Sequence, residues 1–175
     1  MKTTIKIFSF LLVFSVLTSC DDLLGSLGLG KASVTMSYSG DSKGDYKSLD
    51  LVSTVVKSSG IITISTASAS TSGSAASFII NIPADVAKGT YDIAAIKSQR
   101  NTSFSFGEAS KSGEDAKAYT INSQVGTDFS YTVTKNEGGE ITGTFKGKMI
   151  GASNDDKAVE ITVTNGKFSA KYEEE

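Results

Sequence analysis

From Ala32 onward the chain alternates apolar and polar positions with period two, and no sustained 3.6-residue stripe interrupts it. That alternation marks strands with one buried and one solvated face. It predicts strands at Ala32–Tyr38, Leu49–Val56, Ile61–Thr66, Ser77–Ile82, Tyr91–Ile96, Ser103–Phe106 and Ala118–Ile121. Two hairpins follow. Phe129, Tyr131 and Val133 alternate into a Gly-rich loop at Lys135–Gly139, and Ile141, Gly143, Phe145 and Gly147 share one face of the return strand. Glycines inside that strand point to close sheet contact or a bulge. Near the end, Val159, Ile161 and Val163 lead to Asn165-Gly166, followed by Phe168, Ala170 and Tyr172. Asn-Gly suits a two-residue type I′ turn, which would pair Val163 with Phe168, Ile161 with Ala170 and Val159 with Tyr172.

The spacing predicts an all-β fold: an antiparallel β-sandwich of roughly 9–11 short strands with a C-terminal Asn-Gly hairpin, or alternatively a small flattened β-barrel. Pro83–Lys88 reads as one helical turn, with Pro83 near its start and Gly89 past its end. Ala67–Ala76 reads as a loop of small residues and Gly107–Lys117 as a charged loop.

The first residues follow a different pattern. Lys2 and Lys6 give a positive start, and Ile7–Leu17 is continuously apolar. At about 1.5 Å per residue that stretch is too short to cross a hydrocarbon core of roughly 30 Å. It fits the helical core of a signal peptide. Leu17-Thr18-Ser19-Cys20 then resembles the lipobox of bacterial lipoproteins, in which small residues precede a thiol that carries lipid. The expected organisation is a signal peptide at 1–19, a lipidated Cys20 with a tether to residue 31, and one β domain at 32–175. Each buried methylene contributes about 0.8 kcal/mol, so two or three acyl chains would hold the protein on a membrane. Asp21 and Asp22 resemble the sorting signals of Bacteroidota lipoproteins. That resemblance implies an outer-membrane placement, with surface exposure the further option.

Composition narrows the chemistry. The 175 residues contain one Cys, no His and no Trp. Without His, neither a Ser-His-Asp triad nor a Cys-His dyad can form, and the usual Cys/His zinc sites are excluded. Removing Lys2 and Lys6 from 17 basic residues leaves 15 against 19 acidic ones. A net charge of that sign argues against nucleic acid as a partner. No cofactor is expected.

The remaining candidates are oxygen ligands and carboxylates. Asp41, Asp45, Asp155 and Asp156 sit in polar runs that faintly resemble calcium loops, without EF-hand spacing, so polar turns between strands are the stronger expectation. Asp92, Glu140 and Glu160 are conceivable members of a carboxylate pair for glycoside hydrolysis, although solvent-facing strand charges explain them better. Tyr91, Tyr131 and Tyr172 fall on apolar strand faces, which favours core packing over a sugar platform. Tyr38, Tyr46 and Tyr119 are less constrained. Asn101-Thr102-Ser103 matches a glycosylation sequon, which in a bacterial lipoprotein reads as chance.

The lipobox, Ile80–Ile93 and Gly143–Tyr172 together resemble small Bacteroidota lipoproteins of unassigned function. In those, an Ile-Pro strand end leads to a Gly-Thr-Tyr strand, and a Gly-Thr-Phe strand leads to a terminal hairpin. The resemblance covers about half of the chain after Cys20 and rests on turn and core residues, so it implies a fold and supplies no catalytic residue. Three functional expectations stand. The first is a binding module at the cell envelope for a protein or glycan ligand. The second is a structural or accessory envelope protein, and the remote third is a carboxylate hydrolase.

Overall fold

The computed structural model describes residues 30–69, 74–99, 101–110, 112 and 115–172. Strands β1 (Gly30–Gly40) and β2 (Gly44–Lys47) precede a 3-10 turn at Asp50–Val52. Strands β3 (Thr54–Ser58), β4 (Ile61–Ala69), β5 (Ala75–Pro83) and β6 (Gly89–Asp92) then lead into helix α1 (Ile93–Ser98). Five further strands follow: β7 (Ser103–Ala109), β8 (Lys117–Ile121), β9 (Phe129–Glu137), β10 (Glu140–Ser153) and β11 (Ala158–Lys171).

All eleven strands belong to one antiparallel sheet. The pairing runs β11-β1-β3-β4-β5-β7-β8-β10 and returns from β10 to β11, so the sheet doubles back on itself. It is not a clean barrel. Among the described residues β1 and β3 share only the pairs Gly30–Val55 and Lys31–Thr54, and β9 and β6 branch from the edge of β10 beside β8. The closed path removes most free strand edges. Inside, rings from strands that are not hydrogen-bonded neighbours meet across the fold. Phe145 on β10 lies 5.2 Å from Phe78 on β5 and 5.5 Å from Phe104 on β7, and Phe104 lies 5.0 Å from Phe129 on β9. The alternation seen in the sequence is therefore literal: Ile62, Ile64, Phe78, Ile80, Phe104 and Phe106 are buried while their neighbours face outward.

Several expectations change in detail. The Gly-rich hairpin forms with a tighter loop than Lys135–Gly139. Gly138 and Gly139 alone make the turn, at φ 61° and 68°, with Glu137 paired to Glu140. Ser59-Gly60 makes a similar turn between β3 and β4. The strand expected at Leu49–Val56 begins only at Thr54, after the 3-10 turn, and that expected at Tyr91–Ile96 stops at Asp92. There the Asp92 carboxylate accepts the Ala95 amide and starts α1, so the helical turn lies at Ile93–Ser98 rather than at Pro83–Lys88. The small-residue run at Ala67–Ala76 extends the β4–β5 ladder as far as Ala69–Ala75.

The Asn165-Gly166 hairpin is not formed. β11 runs straight through it, paired with β1 on one side and β10 on the other. Neither Asn165 nor Gly166 has the positive φ that a type I′ turn requires. The register slips by one residue there against both neighbours, which is a β-bulge. A bulge and a two-residue turn shift the inward-facing parity alike, from the odd positions Ile161 and Val163 to the even positions Gly166, Phe168 and Ala170, so the pattern alone fits both. Two flanking partners favour the continuous strand, because both edges of β11 are then satisfied.

Reciprocal glycine–aromatic pairs hold that seam. Gly143 on β10 faces Phe168 on β11, and Phe145 faces Gly166. A Cβ at Gly143 would overlap the Phe168 ring and the Thr132 carbonyl; a Cβ at Gly166 would meet the Phe145 ring at 2.5 Å. Each ring thus covers the glycine opposite, at a spacing that no other residue allows. Phe168→Ala is expected to cost roughly 3–5 kcal/mol in urea unfolding, and Gly143→Ala about 1–3 kcal/mol. Asn165→Ala is expected to stay within about 0.5 kcal/mol of the parent, whereas a loss well above that would restore the turn.

Candidate binding face

Outward-facing residues of six neighbouring strands make a polar face over that seam. One row runs across the sheet through directly paired residues: Thr90 on β6, Thr132 on β9, Thr144 on β10, Lys167 on β11, Thr35 on β1 and Lys47 on β2. A second row places Lys135, Thr142, Ser169 and Ser33 side by side. Opposed residues in such rows are close enough for their side chains to bond. The Thr90 and Thr132 hydroxyls lie 2.9 Å apart, and those of Thr134 and Thr142 2.8 Å apart. Each hydroxyl keeps acceptor capacity beyond its lateral bond.

Two shallow depressions of about 330 and 320 Å³ lie in this face. Backbone at Gly143 and Gly166 contributes to their floors, so the core seam and the outer face share the same residues. Thr144 and Lys167 border both. Lys146 borders the second, two residues from Thr144 on the same face of β10. Among the described residues neither Lys146 nor Lys167 has an ion-pair partner, whereas Lys135 pairs with Glu140 at 2.7 Å and Lys148 with Glu160 at 2.9 Å.

The residues singled out from sequence are engaged elsewhere. Asp41 accepts the Glu160 amide at 2.6 Å, Asp45 accepts the Ser37 hydroxyl at 2.7 Å, and Asp155 pairs with Lys157 at 2.5 Å. Asp156 occupies the β10–β11 turn with φ 59°. No cluster of three metal-ligating side chains occurs among the described residues, and these four aspartates are not brought together as one. Asp92 caps α1, and Glu140 and Glu160 hold lysines. Thr102 of the sequon is buried and donates to Gln99. Leu17, Thr18, Ser19, Cys20, Asp21 and Asp22 lie outside the described residues.

Tyrosines serve the interior. Tyr131 is buried, stacks on Tyr91 at 4.9 Å and donates to Gln99 beside α1. Tyr172, partly buried against the core, donates to Asn136, whose amide donates to the carbonyls of Ala84 and Val86. At the other end of the fold Tyr38 donates to Glu108, and Tyr119 donates to Ser42, whose loop also receives the Lys117 ammonium. Burial pushes Tyr46 and Tyr131 up to about 12, and it raises Tyr38 and Tyr119 as well.

The chain matches no family model, no curated protein and no solved structure.

The raised tyrosines give a stability test with a defined sign. The unfolded chain ionises them near 10 and the folded chain does not, so their contribution is complete below pH 10. It is lost as pH rises from 10 towards 12. Absorbance at 295 nm is expected to show these tyrosines ionising together with unfolding above pH 10. Their reversible ionisation near pH 10 in a folded chain would contradict their burial.

Proposed function

We propose that this chain is an envelope-tethered binding module, held on a membrane by lipid at Cys20 and presenting the face of β6, β9, β10, β11, β1 and β2 to a ligand. The observation that carries the reading is the row from Thr90 to Lys47, which sets hydroxyls and cations in register on a rigid sheet. Sites built on regular elements keep their geometry better than sites on loops. The lipobox-like Leu17–Cys20 and the glycine-containing run Leu23–Leu29 ahead of β1 supply an anchor and a tether. The similarity to Bacteroidota lipoproteins supports the same placement, at the outer membrane.

Two experiments test the parts separately. A palmitate analogue is expected to label the wild-type chain in cells and not Cys20→Ala; an unlabelled wild type would remove the anchor from the reading. A panel of immobilised envelope glycans and envelope proteins is expected to retain the full-length chain from detergent micelles. Filling the depressions with Thr144→Trp and Ser169→Trp is expected to abolish retention while leaving the circular dichroism of the fold unchanged. Retention unaffected by both substitutions would move the binding site off this face.

A further inference from the structure

The two depressions share Thr144 and Lys167, and together their borders reach from Ser33 and Thr35 on β1 to Thr90 on β6. They adjoin at that pair and together make one composite depression, the trough, that spans five strands from β1 to β6. Four strand spacings of about 4.8 Å make it about 19 Å long. It is shallow, a shape that suits an extended chain laid across it better than a small molecule enclosed in it.

Its charge is the second observation. The protein has more acidic than basic residues, 19 against 17. Yet among the described residues no Asp or Glu borders the trough, and Lys146 and Lys167 do, both exposed. Lys47 extends the row at the β2 end. An acidic protein with a trough of unpaired cations complements an anion on that face. Most of the other lining residues carry hydroxyls, and four of these are held by the Thr90–Thr132 and Thr134–Thr142 contacts. Such hydroxyls exchange donor and acceptor roles freely with other hydroxyls. Among the described residues the exposed large apolar side chains, Leu49 and Val56, do not border the trough, and the two rings that do, Phe145 and Phe168, are buried, so no apolar group described there is free to insert into a lipid surface.

We propose that this trough binds an anionic polysaccharide. Lys146 and Lys167, with Lys47 beyond them, take its carboxylate or sulfate groups. Thr35, Thr90, Thr132 and Thr144 take its ring hydroxyls. The proposal rests on the reading of this face as the binding surface and adds the class of ligand.

Affinity electrophoresis of the full-length chain in detergent micelles tests it. The probes are polygalacturonate, dextran sulfate and neutral dextran, with phosphatidylglycerol vesicles assayed alongside. Retardation is expected by one or both anionic polymers, weakened by salt, and not by dextran. The K146E/K167E pair is expected to weaken binding by at least about tenfold. The K43E/K97E pair makes the same change in net charge away from the trough and is expected to bind like the parent. Equal loss in both pairs would reduce the effect to net charge and overturn the proposal. Binding to vesicles alone would make the face a membrane contact and also overturn it. Retention by dextran that K146E/K167E leaves intact would overturn the anionic class while the binding-module reading stands. With no retention by any polymer the proposal fails, and the broader reading falls with it only if the immobilised glycan and protein panel also retains nothing.

Discussion

The fold depends on the close approach of β10 and β11, the two longest strands. That approach needs a residue with no side chain opposite each of two phenylalanines. Gly143 accepts Phe168 and Gly166 accepts Phe145, so two large rings pack inward beside one another without pushing the strands apart. Phe145 then reaches Phe78 and Phe104 on the opposite side of the interior. The seam is thus both the joint that returns the sheet to itself and the centre of the core. The bulge beside it, at Asn165, lets one strand turn its inward face over by one residue and still pair with β1 and β10.

The same constraint shapes the outside. Inward glycines and rings leave Thr142, Thr144, Lys146 and Lys167 as the outward residues over the seam, and the backbone of Gly143 and Gly166 lies between them at the floor of the trough. Threonine suits these positions because its β-branched carbon fits a pleated strand while its hydroxyl bonds sideways to the next strand. Packing and surface chemistry are therefore two faces of one arrangement. A disturbance of the seam would move the cations and hydroxyls together.

The all-β character was legible because burial follows the period-two alternation almost residue by residue, as in β5, where Phe78, Ile80 and Ile82 are buried. Hairpins between sequence neighbours were legible too, through Gly138-Gly139. What could not be read was pairing between distant segments. Asn165-Gly166 looked like a turn because a bulge and a turn leave the same parity mark, and only the presence of β1 and β10 on either side distinguishes them. The start of α1 hid inside an apolar run, Ile93–Ile96, because its cap at Asp92 read as one more outward strand charge. The candidate face was missed for the related reason that its members come from six strands out of sequence order. The alternating threonines and lysines of Thr132–Lys148 were its visible signal. The acidic runs drew attention first, yet Asp41, Asp45 and Asp155 are occupied by local hydrogen bonds or a lysine.

The most direct test of this account is a set of interproton contacts by nuclear magnetic resonance across β11. A continuous strand places Lys167 beside both Thr144 and Thr35, and the Phe168 and Phe145 rings over Gly143 and Gly166. Cross-strand contacts from Lys167 to both threonines are expected, with the α-protons of both glycines shifted by the rings above them. Contacts between Val163 and Phe168 in their place would mean that the chain reverses at Asn165-Gly166, and both the seam and the face built on it would be wrong.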